Sequence, residues 1–177
     1  MNLDLDRCLE GRSVLLTDAG SPFAARVSET LEAAGARVFR AAADGAEGAI
    51  EADCTTARGL DRVFDEVAAS HPRLDMAVVP IHADDDNPEV GASRAFTLVE
   101  TVTRAATRFD APPRHAVGLC PASDDDGPAQ VALAVARTLC GYATAHSAYQ
   151  DVRLNLVRTV SVPGDEVIAR AADTVLA

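Results

Sequence analysis

The sequence predicts an α/β domain built on a doubly wound parallel sheet of about six strands, spanning residues 1–177 as a single domain. Two observations lead there. Short apolar runs rich in Val, Leu and Ala alternate with longer stretches of helical periodicity, the pattern of β–α–β units. No internal repeat or long linker interrupts that alternation over 177 residues, 48% of them hydrophobic, so one core suffices.

The elements follow in order. Ser13 to Thr17 is a first strand and Phe23 to Ala34 a helix closed by Gly35. Arg37 to Ala41 is a second strand, with a weak third around Ala49 to Ala52. Gly59 to Ser70 reads as a helix, its Val63, Phe64, Val67 and Ala68 spaced for one apolar face. Met76 to Pro80 is a strand. Val90 to Phe109 is a helix with Phe96, Val99, Val102 and Ala106 on one side and Glu100, Arg104 and Arg108 on the other. His115 to Leu119 is a strand, Pro128 to His146 a long helix, and Arg153 to Val157 a strand. A last helix covers Asp165 to Leu176, with Asp165 and Glu166 in the first turn, where the helix dipole favours them.

Composition narrows the function. Sixteen basic residues against 27 acidic ones give a net charge of -11, which argues against nucleic acid or an anionic membrane as partner. Every basic residue is Arg, so chemistry needing a lysine amine, including Schiff bases and the P-loop lysine, is excluded. Cys8, Cys54, Cys120 and Cys140 show no metal-site spacing and read as buried free thiols. The start of the chain lacks the apolar run of a signal peptide, and the most apolar stretch, Val131 to Ala145, is broken by Arg137 and Gly141. A cytoplasmic location is expected. His71, His82, His115 and His146 lack ligand spacing, and the runs Asp84 to Asp86 and Asp124 to Asp126 read as solvated loops. A hydrolase built on Ser123 with His115 or His146 has no Gly-x-Ser-x-Gly elbow behind it.

The run from Leu9 to Asp44, LEGRSVLLTDAGSPFAARVSETLEAAGARVFRAAAD, resembles the opening of a short-chain dehydrogenase/reductase. Asp53-Cys-Thr-Thr56, Arg73-Leu-Asp-Met76 and Val152-Arg-Leu-Asn-Leu156 resemble later segments of that family in the right order. The resemblance implies a Rossmann-like sheet, truncated at the C-terminus, with a dinucleotide loop after the first strand. The chain departs from that family where its chemistry sits. The three loop glycines fall on Asp18, Pro22 and Ala24. The Tyr-x-x-x-Lys pair is missing, with Asp125 and Ala129 near its positions, and Asn-Asn-Ala-Gly is replaced by Val79-Pro-Ile-His82. The seventh strand is absent as well. No catalytic, cofactor-binding or metal-ligating set is therefore expected, and no cofactor.

The long helix is the main positive feature. From Pro128 to Tyr149 the only formal charge is Arg137, and a helix apolar nearly all round is buried nearly all round. In the resembling family the corresponding helix packs in a four-helix bundle between subunits. Phe96, Val99, Val131, Val135, Thr138 and Tyr142 are the expected interface. The expected function is a non-catalytic subunit paired with an active dehydrogenase or ketoreductase, without nucleic acid or membrane. Two alternatives stay open: a homodimeric module binding a small ligand, and repurposed acid–base chemistry in a cleft lined by Asp18, His82, Asp84 and Asp125.

Overall fold

The computed structural model describes residues 7–81, 88–109, 115–121, 134–139, 141 and 153–159. In chain order the elements are β1 (Ser13–Leu16), α1 (Pro22–Ala33), β2 (Arg37–Ala42), β3 (Ile50–Glu51), α2 (Ala57–Ser70), β4 (Met76–Pro80), α3 (Pro88–Arg108), β5 (His115–Pro121) and β6 (Arg153–Thr159). A further helical segment covers residues 134–139 and 141. The rest of the expected helix from Pro128 to His146, and the whole of the one from Asp165 to Leu176, lie outside the described residues. The six strands form one sheet in the order β3–β2–β1–β4–β5–β6, and every pairing is parallel.

Element ends differ from the sequence expectation in ways that proline explains. Helix α3 begins at Pro88, two residues before the expected Val90, because proline at the start of a helix loses no hydrogen bond. Strand β4 ends on Pro80 although it is central, since the last β1–β4 pair is Leu16 with Val78 and no neighbour on that side needs the missing N–H. Strand β5 runs on to Pro121 and β6 to Thr159, where the two pair past the ends of their neighbours. The third strand shrinks to Ile50 and Glu51, held only at the β2 edge.

Side-chain alternation sends the strands into two cores. Val14, Leu16, Met76, Val78, Val117 and Leu119 meet Ala24, Val27 and Leu31 of α1 on one face. On the other face Leu15 and Ala41 meet Leu60, Val63, Phe64 and Val67 of α2, with Phe64 and Phe109 edge to face at 6.2 Å. Beside them Ala77, Val79 and Ala116 meet Ala95, Leu98 and Ala136. Helix α3 and the 134–141 segment therefore share one layer.

The charged side of α3 corrects a sequence reading. Glu100, Arg104 and Arg108 read only as the polar side of the helix, but they form a seam with α2. Asp61 accepts from Arg104 at 2.8 Å and from Arg108 at 2.7 Å, and Asp65 and Glu100 complete the network. Arg104 is held above its ordinary pKa, first by the Asp61 hydrogen bond. A network with shared partners loses less side-chain entropy per contact than isolated pairs do.

At the amino edge of the sheet, Asp75 ties β1 to the entry of β4. Its carboxylate accepts from the Ser13 N–H at 2.9 Å and the Ser13 hydroxyl at 2.9 Å, and pairs with Arg73 at 2.9 Å and Arg12 at 3.2 Å. Burial alone would raise this carboxyl. The two Ser13 hydrogen bonds, Arg12 and Arg73 outweigh it and hold the group below its ordinary value. A depressed folded pKa stabilises above the unfolded value near about pH 4, and that contribution is lost as pH falls through the folded one. Asp75→Asn is expected to cost about 1–3 kcal/mol at neutral pH, the size of an imperfectly satisfied buried group. Urea midpoints should show the gap to wild type closing below about pH 4. A gap that is constant with pH contradicts this account of Asp75.

Candidate functional site

Strand order reverses between β1 and β4, since β1 leads outward to β2 while β4 leads the other way. In an open α/β sheet the crevice outside the carboxyl ends of such a strand pair is where ligands bind. Here that crevice is bounded by the loop from Thr17 to Ser21, by the turn before α2, and by the amino-terminal part of α3.

The loop is shaped by Asp18, which adopts φ +54°, a conformation that favours glycine and that Asp tolerates better than most residues. Its carboxylate lies 3.0 Å from Nη2 of Arg94 on α3, with the Arg94 side chain only 14% exposed. Helix α1 then begins with its own cap: Ser21 Oγ accepts the Ala24 N–H at 3.1 Å, and Pro22 at the next position has no N–H. Ala24 itself is fully buried against the sheet. At Gly20 an added Cβ would fall 2.6 Å from the Asp44 carboxylate, so a second acid lies against the loop.

Helix α3 roofs the neighbouring turn too, its Thr97 hydroxyl donating to the Cys54 carbonyl at 3.2 Å. That turn is tight. Thr56 caps α2 by accepting the Gly59 N–H at 3.0 Å, and a side chain at Gly59 would collide with the Asp53 carbonyl oxygen. An open cavity of about 330 Å³ lies beside it, lined by Glu51, Asp53, Thr56, Arg58 and Arg62 among others, with acids and bases balanced.

Beyond β4 and β5 the crevice floor is apolar. Ile81 and Cys120, 2% and 4% exposed, join the cluster of Ala77, Val79, Leu98 and Ala136. Ile81 and Leu156 pack so closely over Gly118 that an added Cβ would stand 2.7 Å from each. These are the strand ends where the resembling family keeps its Asn-Asn-Ala-Gly and its serine loop.

The nicotinamide dinucleotide that such a crevice implies does not fit these residues. Its diphosphate needs free backbone donors at the helix start and room close to the backbone. The chain presents a carboxylate already paired, a proline and a self-satisfied cap in those places.

Of the residues the sequence singled out, Phe96 is 54% exposed and Val99 half-buried on α3. Val135 is half-buried against the α3 layer and Thr138 is exposed. Val131, Tyr142, His82, Asp84, Ser123, Asp125 and His146 lie outside the described residues. His115 opens β5 at the amino edge, opposite the crevice, so it is placed away from any chemistry there. Among the described residues no cluster of three or more His, Cys, Asp or Glu is arranged to hold a metal, and no helix is long and apolar enough to cross a membrane. Arg94 was missed. Its sequence signal was the lack of an acid three or four residues away in its own helix, unlike Arg104 with Glu100.

Strand order, parallel register and helices on both faces define the class as a doubly wound dinucleotide-type domain. No protein-family model matches the chain, and no curated protein matches it in sequence. Solved structures do. Enoyl-[acyl-carrier-protein] reductase (NADH) from Aquifex aeolicus superposes with a TM-score of 0.69 at 13% identity, over 93% of this chain and 81% of that one. RhlG from Pseudomonas aeruginosa, solved as an NADP complex, gives 0.68 at 17%, over 96% and 80%. A short-chain dehydrogenase/reductase described as glucose/ribitol dehydrogenase, from Brucella melitensis, gives 0.64 at 15%, over 86% and 77%. The chain carries the short-chain dehydrogenase/reductase fold.

Cys54 sits under the same loop. Burial first, then the Asp53 charge, pushes its thiol up to about 12, against a hydrogen bond from the Asp18 backbone. A thiol in that state is not a nucleophile at neutral pH. In native protein treated with iodoacetamide at pH 8, Cys54 is expected to stay unlabelled and half-buried Cys8 to react, with Cys54 labelled only after denaturant. Native labelling of Cys54 at the rate of Cys8 contradicts this reading of the crevice.

Proposed function

We propose that this chain is a non-catalytic relative of the short-chain dehydrogenases that works as an accessory subunit, pairing through its α3 layer with a catalytically intact dehydrogenase or ketoreductase. The observation that carries the proposal is Phe96, the one large hydrophobic side chain exposed among the described residues, standing on α3 away from the sheet. Val99, Ala134 and Thr138 extend that surface across the shared layer, with Arg137 as its only charge in residues 134–139. A like face of a similar fold would meet this one with two helices from each chain, four at the contact, with Glu89 and Glu100 on the same side of α3 as Phe96 at its rim. The crevice supports the same reading, because a fold kept without its cofactor donors keeps only its surfaces to use.

The partner expected is a longer subunit with a glycine-rich loop and a Tyr-x-x-x-Lys pair, which would hold the nicotinamide cofactor. Native mass spectrometry of the tagged chain from its own host should show that heteromer, with dinucleotide mass only on the partner. Phe96→Asp should weaken the complex about 100-fold, the size of a buried aromatic anchor, while leaving the melting curve of the exposed site unchanged. A homodimer with no second subunit, or a heteromer indifferent to Phe96→Asp, overturns the proposal. The homodimer would favour a self-paired binding module instead.

A further inference from the structure

We infer that the Asp18 carboxylate is a built-in replacement for the diphosphate of a dinucleotide, an internal anion that holds Arg94 and closes the loop against external ones. The inference rests on reading the crevice as emptied of cofactor, but it concerns the isolated chain and needs no partner subunit.

The geometry supports it from three sides. A guanidinium as enclosed as that of Arg94 requires a counter-charge, and Asp18 Oδ2 supplies one at 3.0 Å. Asp18 meets it from a left-handed backbone, φ +54°, so the loop accepts a disfavoured conformation in the place where the carboxylate reaches α3. The ordinary anion site of the loop, the first turn of α1, is not available as a substitute. Ser21 Oγ takes the Ala24 N–H, and Pro22 has none to offer. Arg94 is thus the group at this crevice best placed to attract a phosphate, and it is engaged by a tethered acid that an external anion must displace. Tethering makes that acid a strong competitor, since its effective concentration does not fall with dilution. A diphosphate entering the loop also meets Asp44 beside Gly20, which adds like-charge repulsion.

Removing the Asp18 charge should then convert a closed loop into an anion site. Gly at position 18 suits the positive φ, and Asn tolerates it while preserving shape, so both Asp18→Gly and Asp18→Asn are expected to fold. The probe is inorganic pyrophosphate, titrated into the ¹⁵N-labelled isolated chain and its variants. Both variants are expected to bind at least about tenfold more tightly than wild type, with saturable shifts in the amides of residues 18–21, 23 and 24. Adding Arg94→Gln to either variant should remove the gain. Wild type binding as tightly as the variants, a failure of both variants to gain, or a gain that survives Arg94→Gln would each overturn the inference. Those outcomes are separate from the subunit question, because a heteromer could form whether or not the loop admits pyrophosphate.

Discussion

Everything at the functional edge of this molecule depends on the ion pair that joins Asp18, at the end of the first strand, to Arg94 on α3. It spans the point where strand order reverses, the natural opening of the fold. With the Thr97 contact to Cys54 it pins the amino-terminal part of α3 over two loops at once. The other end of α3 is pinned by Arg104 and Arg108 on Asp61. A helix fixed at both ends has its rotation fixed as well, and that rotation turns Ala95, Leu98 and Ala105 to the sheet and Phe96 to the outside. The ion pair at the loop and the exposure of Phe96 are two consequences of one helix placement.

The described strand ends of β4 and β5 are apolar. Here Ile81 and Cys120 extend the hydrophobic core to the sheet edge, and Gly118 lets them approach closely. Such packing stabilises the sheet through apolar burial. The remaining polar clusters, Asp75 with Ser13 and Asp61 with two arginines, serve to register strands and helices.

Much of the scaffold was legible in the sequence, because parallel strands buried on both faces read as continuous apolar runs. Met76 to Pro80 is strand β4 as expected, and Val63, Phe64 and Val67 form the buried face of α2. At the loop, Asp18 and Pro22 in the glycine positions of the resembling family marked where the chain departs from that pattern. What the sequence hid were contacts between residues distant in the chain. Arg94 had no acid at helical spacing but nothing pointed to Asp18 as its partner, and the charges on α3 read only as its polar side because periodicity does not reveal a neighbouring helix. The apolar side of α3 holding Phe96 and Val99 read as an interface, and there Phe96 is exposed and Val99 half-buried. The face that packs carries Ala95, Leu98, Thr101 and Ala105, all fully buried.

The central claim is that this fold has given up its dinucleotide. The direct measurement is equilibrium binding of NADH and NADPH to the ¹⁵N-labelled wild-type chain alone, followed by protein-observed NMR. The account predicts no saturable binding up to ~1 mM, a free energy weaker than about 4 kcal/mol. Saturable binding of either nucleotide below that concentration, with shifts at Asp18, Ser21 and Ala24, would contradict it.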